Sequence, residues 1–374
     1  MAAEAEPLTQ PLIASIVGTR PEAIKMLPVV RALADVGGID QLVILTGQHR
    51  NLTAFDGLPG VEVHDLGADP REQTAGEICE GIHHLLCGNL SVRSPSLVLV
   101  QGDTASALAG ARAAADCGIP LGHVEAGLRS FDIDFPWPEE GYRIEIDRLS
   151  DLLFAPSESA AANLRRERLT GAIHVTGNSG IDALLHARGT QVEPTAWGDV
   201  RRPILVTCHR RENRGATLAR VADALRRLVQ ELPVRVIFLL HTNPHLCADV
   251  RALLDGEPHI ELLPPVDHVQ MVSLIDGCWA ILTDSGGLQE EGPALGKPVL
   301  VLRDVTERVE AADSSRLVGT RAETIQAAVS ALLDDADLYA RMAKPCLPYG
   351  DGKAAPRIAA IIEQFLRNES RAAA

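Results

Sequence analysis

Apolar and polar positions along the chain form a repeating alternation of short hydrophobic runs and longer amphipathic segments. Runs of strand length stand at 12–18 (LIASIVG), 41–47 (QLVILTG), 61–66 (VEVHDL), 96–102 (SLVLVQG), 119–125 (IPLGHVE), 152–157 (LLFAPS) and 173–177 (IHVTG). Segments of helical length and periodicity separate them, among them Glu22 to Val36 and Thr104 to Cys117. After a helix near Ile181 to Arg188 comes a polar interval containing proline and glycine, QVEPTAWGDVRRP, and the alternation restarts at 204–210, 234–242, 260–265, 279–285, 298–304 and 316–320. Strands that alternate with helices predict parallel sheets covered on both faces, here divided by the interval into two Rossmann-like, doubly wound α/β domains.

Composition agrees with this picture. At 374 residues the chain exceeds one ordinary core and fits two domains. Aromatics are only 3%, so Val, Leu, Ile and Ala must fill the cores, as suits helices packed on parallel sheets. The net charge of -15 argues against nucleic-acid and anionic-membrane partners, which need clustered Lys and Arg. The seven cysteines include no C-x-x-C pair, and reduced thiols in a cytoplasmic protein are the default. The acidic start MAAEAEPLTQP lacks the regions of a signal peptide and reads as a loose leader, and no apolar run approaches the length of a membrane span.

In open parallel sheets ligands bind beyond the carboxyl ends of the strands, so the residues that follow each run carry the most chemical weight. Trp279 to Pro298, WAILTDSGGLQEEGPALGKP, reads as a strand, a turn at Ser285-Gly286-Gly287, and a helix. Unpaired backbone N–H groups and the positive end of the helix dipole make such a turn an anion site, although an isolated Ser-Gly-Gly is more often an ordinary βα turn. Glu290 and Glu291 would repel an anion that they faced, which directs at least one of them to sugar hydroxyls. After the first strand, GTRPEAIK offers Arg20 and Lys25 to a phosphate, with plain surface residues as the alternative. TGQHR adds Gln48, His49 and Arg50. Asp103 follows the fourth run, where capping of the next helix is the structural alternative. Glu125 closes the fifth, where a carboxylate is costly unless it is functional or paired, for instance with Arg129. The loop FDIDFPWPEEGYRIEIDRLSD concentrates Glu139, Glu140, Arg143, Glu145 and Asp147. Asp103, Glu125 and Glu139 are expected to converge, and crowded carboxylates suit acid and base work. In the second half, CHRREN supplies His209, Arg210 and Arg211, Arg214 follows, and LLHTNPH supplies His241 and His245. A basic wall facing a diphosphate is more economical than a metal site, because Pro244 separates the last two histidines and no acidic or thiol ligand is suitably spaced.

Taken together, GTRPEAIKMLPVV, TGQHR, GDT, HVEAGLR, PWPEE followed by Arg143, SDLLFAPSE, VTGNSGIDAL, HRREN, LTDSGGLQEE, GKPVLVLRD and TER resemble the non-hydrolysing UDP-N-acetylglucosamine 2-epimerase family, in order and over nearly the whole chain. The resemblance implies a GT-B-like architecture with the active site in the cleft between two Rossmann-type domains. The first would span 12–177 with a C-terminal helix at about 352–370 packing back on it, and the second, UDP-binding domain would span 178–351. It also implies a homodimer that interconverts UDP-GlcNAc and UDP-ManNAc with neither nicotinamide nor metal. Removal of the C2 proton and expulsion of UDP would leave a 2-acetamidoglucal, to which UDP adds back as a proton arrives on the opposite face. By motif position Asp103, Glu125, Glu139 and His209 match the family's catalytic residues. Arg20, Lys25, Arg143, Arg210, His241, Ser285, Gly286, Gly287 and Glu291 match its substrate-binding set, with Glu291 on the ribose. The sequence departs from the pattern in a short segment after TGQHR, the region where many bacterial members bind a second, activating UDP-GlcNAc. It also departs at Gly141-Tyr142, Gly180 and Val309. Changes near the sugar raise a modified substrate, such as a UDP-2,3-diacetamido uronic acid, as the alternative. A GT-B glycosyltransferase is the rival from another class, but it has no need of three clustered carboxylates.

Overall fold

The computed structural model describes residues 10–50, 52–67, 75–189, 200–210, 213–308, 310–311 and 313–373. The expected leader at 1–9, most of the polar interval, Arg211 and Val309 lie outside the described residues. The chain forms two compact units, residues 1–183 with 350–374, and residues 184–349.

The first unit contains β1 (Leu12–Val17), α1 (Arg20–Val36), β2 (Asp40–Leu45), β3 (Val61–Asp65), α2 (Ala75–Arg93), β4 (Leu97–Gln101), α3 (Ala105–Asp116), β5 (Leu121–Val124), α4 (Glu139–Leu149), β6 (Leu152–Ala155), α5 (Glu158–Glu167), β7 (Ala172–Val175) and the start of α6 (Ser179–Gly189). The second contains β8 (Arg202–Thr207), α7 (Ala216–Glu231), β9 (Val234–Leu239), α8 (Pro244–Leu254), β10 (Ile260–Leu263), α9 (His268–Gly277), β11 (Ala280–Thr283), α10 (Gly286–Ala294), β12 (Val299–Val301), β13 (Ser315–Leu317), α11 (Ala322–Asp334) and α12 (Ala336–Met342). The last helix, α13 (Ala354–Ala373), belongs to the first unit.

Each of the apolar runs read from the sequence overlaps one strand. The runs overshoot the strands at their carboxyl ends, where Gly18, Gly102 and Glu125 already belong to turns. The sheet orders are β3-β2-β1-β4-β5-β6-β7 and β10-β9-β8-β11-β12-β13, and the recorded pairings are parallel. Each order reverses once, at β1/β4 and at β8/β11, which opens a crevice at the carboxyl ends of those strands. The segment after TGQHR, residues 52–60, consists of turns and irregular backbone and leads directly into β3.

The core of the first unit lies on both faces of its sheet. On one face Met26, Val29, Val30 and Leu33 of α1 meet Ile358, Ala359, Ile362 and Leu366 of α13. The spacing of these residues puts an apolar stripe on each helix. Asp182 accepts from the first amides of α13, Ala354 N at 3.1 Å and Ala355 N at 2.9 Å, and so fixes where that helix begins. On the other face the Ala-rich α3 lies close to the sheet, and a Cβ at Gly110 would sit 2.9 Å from Val100 Cγ1. In the second unit α7 packs Leu218, Val221, Leu225 and Leu228 against Val206, Val236 and Leu282. Among the described residues no helix is long and apolar enough to cross a membrane.

Ile362 is fully buried between α13 and α1, whereas Arg367, one turn further on, is exposed. Ile362→Ala is expected to destabilise the protein by about 2–5 kcal/mol, read as a lower denaturant midpoint. Arg367→Ala should change it by less than about 0.5 kcal/mol. Equal effects would show that α13 is not docked through this stripe.

Candidate functional site

In the first unit Asp103 and Glu125 follow the neighbouring strands β4 and β5, beside the β1/β4 reversal. Gly18 must be glycine, because an added Cβ would lie 1.8 Å from Ser106 Oγ and 2.6 Å from Thr46 Oγ1. Thr19 caps α1 in a capping box with Glu22, whose Oε2 accepts from Gly18 N (2.8 Å) and Thr19 N (2.6 Å) while Oε1 accepts from the Thr104 hydroxyl. Burial pushes the Glu22 carboxyl above its ordinary value, and these hydrogen bonds offset that only in part. The carboxylate occupies the amides that a phosphate would use at this helix start. Arg20 is exposed and beside His49, whose titration is lowered by burial and by the Arg20 charge.

Glu125 stands just past β5 with φ 74, a left-handed conformation that costs a non-glycine residue about 1–3 kcal/mol. Its buried carboxylate accepts from Lys25 Nζ on both oxygens (2.8 and 2.6 Å), from Asn178 Nδ2 on Oε1 (3.1 Å) and from Gln101 Nε2 on Oε2. Asn178 Oδ1 accepts from Gly180 N at 2.8 Å, and since a backbone amide can only donate, its NH₂ must face Glu125. Lys25 is therefore a partner of Glu125 and not a plain surface residue, and Arg129 pairs elsewhere. Arg129 Nη1 lies 2.8 Å from Asp147 Oδ2, and its other nitrogens hold Glu167 at 2.7 and 2.9 Å. Asp103 does not cap α3. Thr104 does, with Ala107 N at 3.1 Å, while Asp103 Oδ2 accepts from Arg143 Nε (3.1 Å) and Nη2. Arg143 Nη1 also holds the buried Glu140 at 3.0 Å. Glu139, half-buried, opens α4 one turn before Arg143.

In the second unit the β8/β11 reversal is organised by Asp284. Its Oδ2 accepts from His209 N and Arg210 N (2.8 Å each) and from Asn213 Nδ2 (2.9 Å). Its Oδ1 makes no hydrogen bond among the described residues and lies 3.5 Å from His209 Nδ1. The His209 ring stacks on His241, centroids 5.4 Å apart. His241 Nδ1 accepts from Asn243 N at 3.0 Å, which puts its ring proton on Nε2. His241 and His245 both lie on the surface. Ser285 is the first residue of the turn into α10 and makes no side-chain capping bond there. Gly286 is backed by a guanidinium, so that a Cβ would meet Arg308 Cζ at 2.7 Å. At Gly287 a Cβ would meet nothing closer than Glu291 Oε1 at 3.7 Å. The two glutamates separate: Glu290 is buried and accepts from Arg308 Nε at 2.8 Å, while Glu291 stays half-buried beside Gly287. Arg210 donates from Nε to the Asp284 carbonyl (2.9 Å) and lies 3.8 Å from Glu307, and Arg214 is exposed.

Sequence reasoning singled out the charged residues at strand ends but missed Gln101, Asn178 and Asp284. Asp284 was within reach, as an acidic residue closing an apolar strand in the same way as Glu125.

Two parallel-sheet α/β domains with polar residues massed at the reversal of each strand order define a GT-B-like protein. Residues 31–363 match the UDP-N-acetylglucosamine 2-epimerase family. A UDP-N-acetylglucosamine 2-epimerase of Yersinia pestis is 41% identical over 366 residues, covering 92% of this chain and 96% of its own. Among solved structures, the S. aureus MnaA-UDP co-structure superposes with a TM-score of 0.88 at 38% identity, over 96% of this chain and 97% of that one. The UDP-GlcNAc 2-epimerase from Neisseria meningitidis bound to UDP-GlcNAc gives 0.88 at 35% identity, over 95% of this chain and 100% of that one. The chain belongs to the UDP-N-acetylglucosamine 2-epimerase family and is an enzyme of the isomerase class.

The carboxylate of Asp147 is fully buried, accepting from His123 Nδ1 (2.6 Å) and Gly127 N (3.1 Å) besides Arg129. Burial pushes its titration up, but the charges and hydrogen bonds of His123 and Arg129 outweigh this and hold it below the ordinary 3.8. A carboxyl lowered by folding contributes stability above its unfolded value and loses it as pH falls through the folded one. Asp147→Asn should therefore cost about 3–5 kcal/mol at neutral pH. The gap in melting temperature from the parent should stay constant down to about pH 3.8 and close only below it. A gap already closing at pH 6 would contradict the buried ion pair.

Proposed function

We propose that the protein interconverts UDP-GlcNAc and UDP-ManNAc without hydrolysis, by eliminating UDP to a 2-acetamidoglucal and adding it back. The observation that carries the proposal is the state of the carboxylates: Asp103 against Arg143 and Glu125 against Lys25, both beside the β1/β4 reversal. Each of these carboxylates has a cationic side chain within hydrogen-bond distance. Two acid–base groups are what inversion at C2 requires, one for each face of the sugar, and Glu139 extends the set. A C2 hydrogen with no neighbouring ketone is weakly acidic, so stabilisation of the leaving group must supply much of the rate. The turn at Ser285 to Gly287 suits that task. With Glu290 turned inward onto Arg308, its charge is taken up away from the turn that would receive the diphosphate, and Glu291 is left for ribose hydroxyls. His209, steered by Asp284, and Arg20, Arg210 and His241 add positive or donating groups. The UDP and UDP-GlcNAc named in the relatives' structures support a UDP-sugar as the substrate class.

In the forward direction a carboxylate takes the C2 proton as the C1–O bond breaks and UDP departs with its electron pair. In the return step UDP oxygen bonds C1 while a second group delivers a proton to the other face of C2. Neither step calls on a nicotinamide or a metal. The resemblance extends the proposal to a cytoplasmic homodimer. A larger 2-acetamido sugar is the second candidate substrate, raised by the departures at Gly141-Tyr142 and Gly180.

Incubation with UDP-GlcNAc in deuterated water should yield UDP-ManNAc carrying deuterium at C2. Absence of exchange into any UDP-HexNAc of a panel that includes a UDP-2,3-diacetamido uronic acid would overturn the proposal. Asp103→Asn and Glu125→Gln are each expected to lower kcat by roughly 10²–10⁴-fold, whereas Ser285→Ala and Glu291→Gln should act mainly on KM.

Asn178 does not face the sugar in this assignment but orients Glu125. Asn178→Ala should lower kcat by roughly ten- to a hundredfold with little change in KM, and Asn178→Gln should not restore it, since the longer amide cannot reach both Gly180 N and Glu125. A shifted KM with native kcat would place Asn178 on the substrate instead.

A further inference from the structure

Apart from the residues assigned above, one side-chain cluster of the first unit brings metal-binding donors together. His83 and Cys87 stand one turn apart on α2, and Asp116 ends α3. His83 Nε2 lies 2.9 Å from Asp116 Oδ2 and 3.4 Å from Cys87 Sγ, and the three donor atoms all fall within 4.8 Å of one another. We propose that His83, Cys87 and Asp116 bind a divalent cation of the zinc type, which joins α2 to α3.

Three features of the cluster support this. The donor set is mixed, with nitrogen, sulfur and oxygen ligands of the kinds that zinc accepts. Zinc bond lengths of about 2.0–2.3 Å place tetrahedral ligands roughly 3.3–3.8 Å apart. The His83–Cys87 separation already has that value, and the His83–Asp116 separation needs to open by a few tenths of an ångström. The second feature is electrostatic. Asp116 sits in the last turn of α3, where no basic residue accompanies it and where the helix carbonyls already present partial negative charge. A carboxylate is disfavoured in that place, and a cation held by it is favoured by both. The third feature is the neighbouring sulfur. Cys117, the C-cap of α3, lies against Cys87 and bonds to its carbonyl at 3.9 Å, which brings a second thiol beside the set. Binding would replace the hydrogen bonds at His83 Nε2 with coordination. The site is accessible, since the side chains of His83 and Asp116 are 28% and 65% exposed.

None of these residues belongs to the strand-end groups, so the proposal stands apart from the epimerase reaction. The reduced, metal-free protein is given zinc, desalted, and analysed for bound metal, with cobalt as a spectroscopic stand-in. The parent should retain zinc stoichiometrically, melt at a higher temperature with it, and show a thiolate-to-cobalt absorption band. His83→Ala and Cys87→Ser should bind zinc at least roughly tenfold more weakly and lose the band in the second case, with turnover and the metal-free melting temperature at parent values. The native metal-free melting temperature shows that a variant that fails to bind is still folded. Zinc lost on desalting, or retained equally by parent and variants, would overturn the site.

Discussion

A carboxylate at the carboxyl end of a parallel strand and cut off from water must be met by donors, or it costs several kcal/mol. This constraint shapes every loop that carries chemistry here. Asp284 draws in the backbone amides of His209 and Arg210 and the amide of Asn213, and thereby fixes the segment after β8. Glu125 takes Lys25 from α1, Gln101 from β4 and Asn178 from the start of α6. Asp147 does the same one level deeper, joining His123 of β5 to Gly127 and Arg129 beyond it. The apolar cores make the sheets. The buried acids decide which way the strand ends point.

The two units answer the constraint differently although their first six strands follow one order. In the first, the acids at the reversal point are matched by the side chains of Lys25 and Arg143. In the second, Asp284 is matched mostly by backbone amides and an asparagine, and the nearby guanidinium of Arg308 is spent on Glu290 and Glu307.

The fold was legible in the sequence almost completely, since each strand of a parallel sheet is a short apolar run with a turn at its end. The candidate site was legible only as a set of positions. Glu125 shows why its partner was not. An i,i+4 ion pair with Arg129 supposes a helical turn after Glu125, but its left-handed φ sends the chain into a non-helical turn, and its partner comes from a residue 100 positions away. Asp103 loses the cap of α3 because Arg143 draws it aside and the adjacent Thr104 has a hydroxyl at the right reach. Glu290 and Glu291 look equivalent in the sequence, yet adjacent positions on a helix point about 100° apart, so one turns inward and the other stays at the mouth. For Glu125, Asp103 and Glu290 the partner is distant in sequence, at Lys25, Arg143 and Arg308.

The position of Asn178 ties the carboxylate cluster to the course of the chain. Gly177, with φ 93, and Asn178 lead into α6, the helix along which the chain leaves the first unit. Gly350, with φ 131, is where it returns, and a Cβ there would lie 3.1 Å from both Asn178 N and Gly177 Cα. The outgoing and returning segments therefore touch at the residue whose amide orients Glu125. Asp182, one turn further along α6, caps α13 and holds the returning chain from the other side. The residue that orients Glu125 thus stands where the two segments that covalently join the units meet.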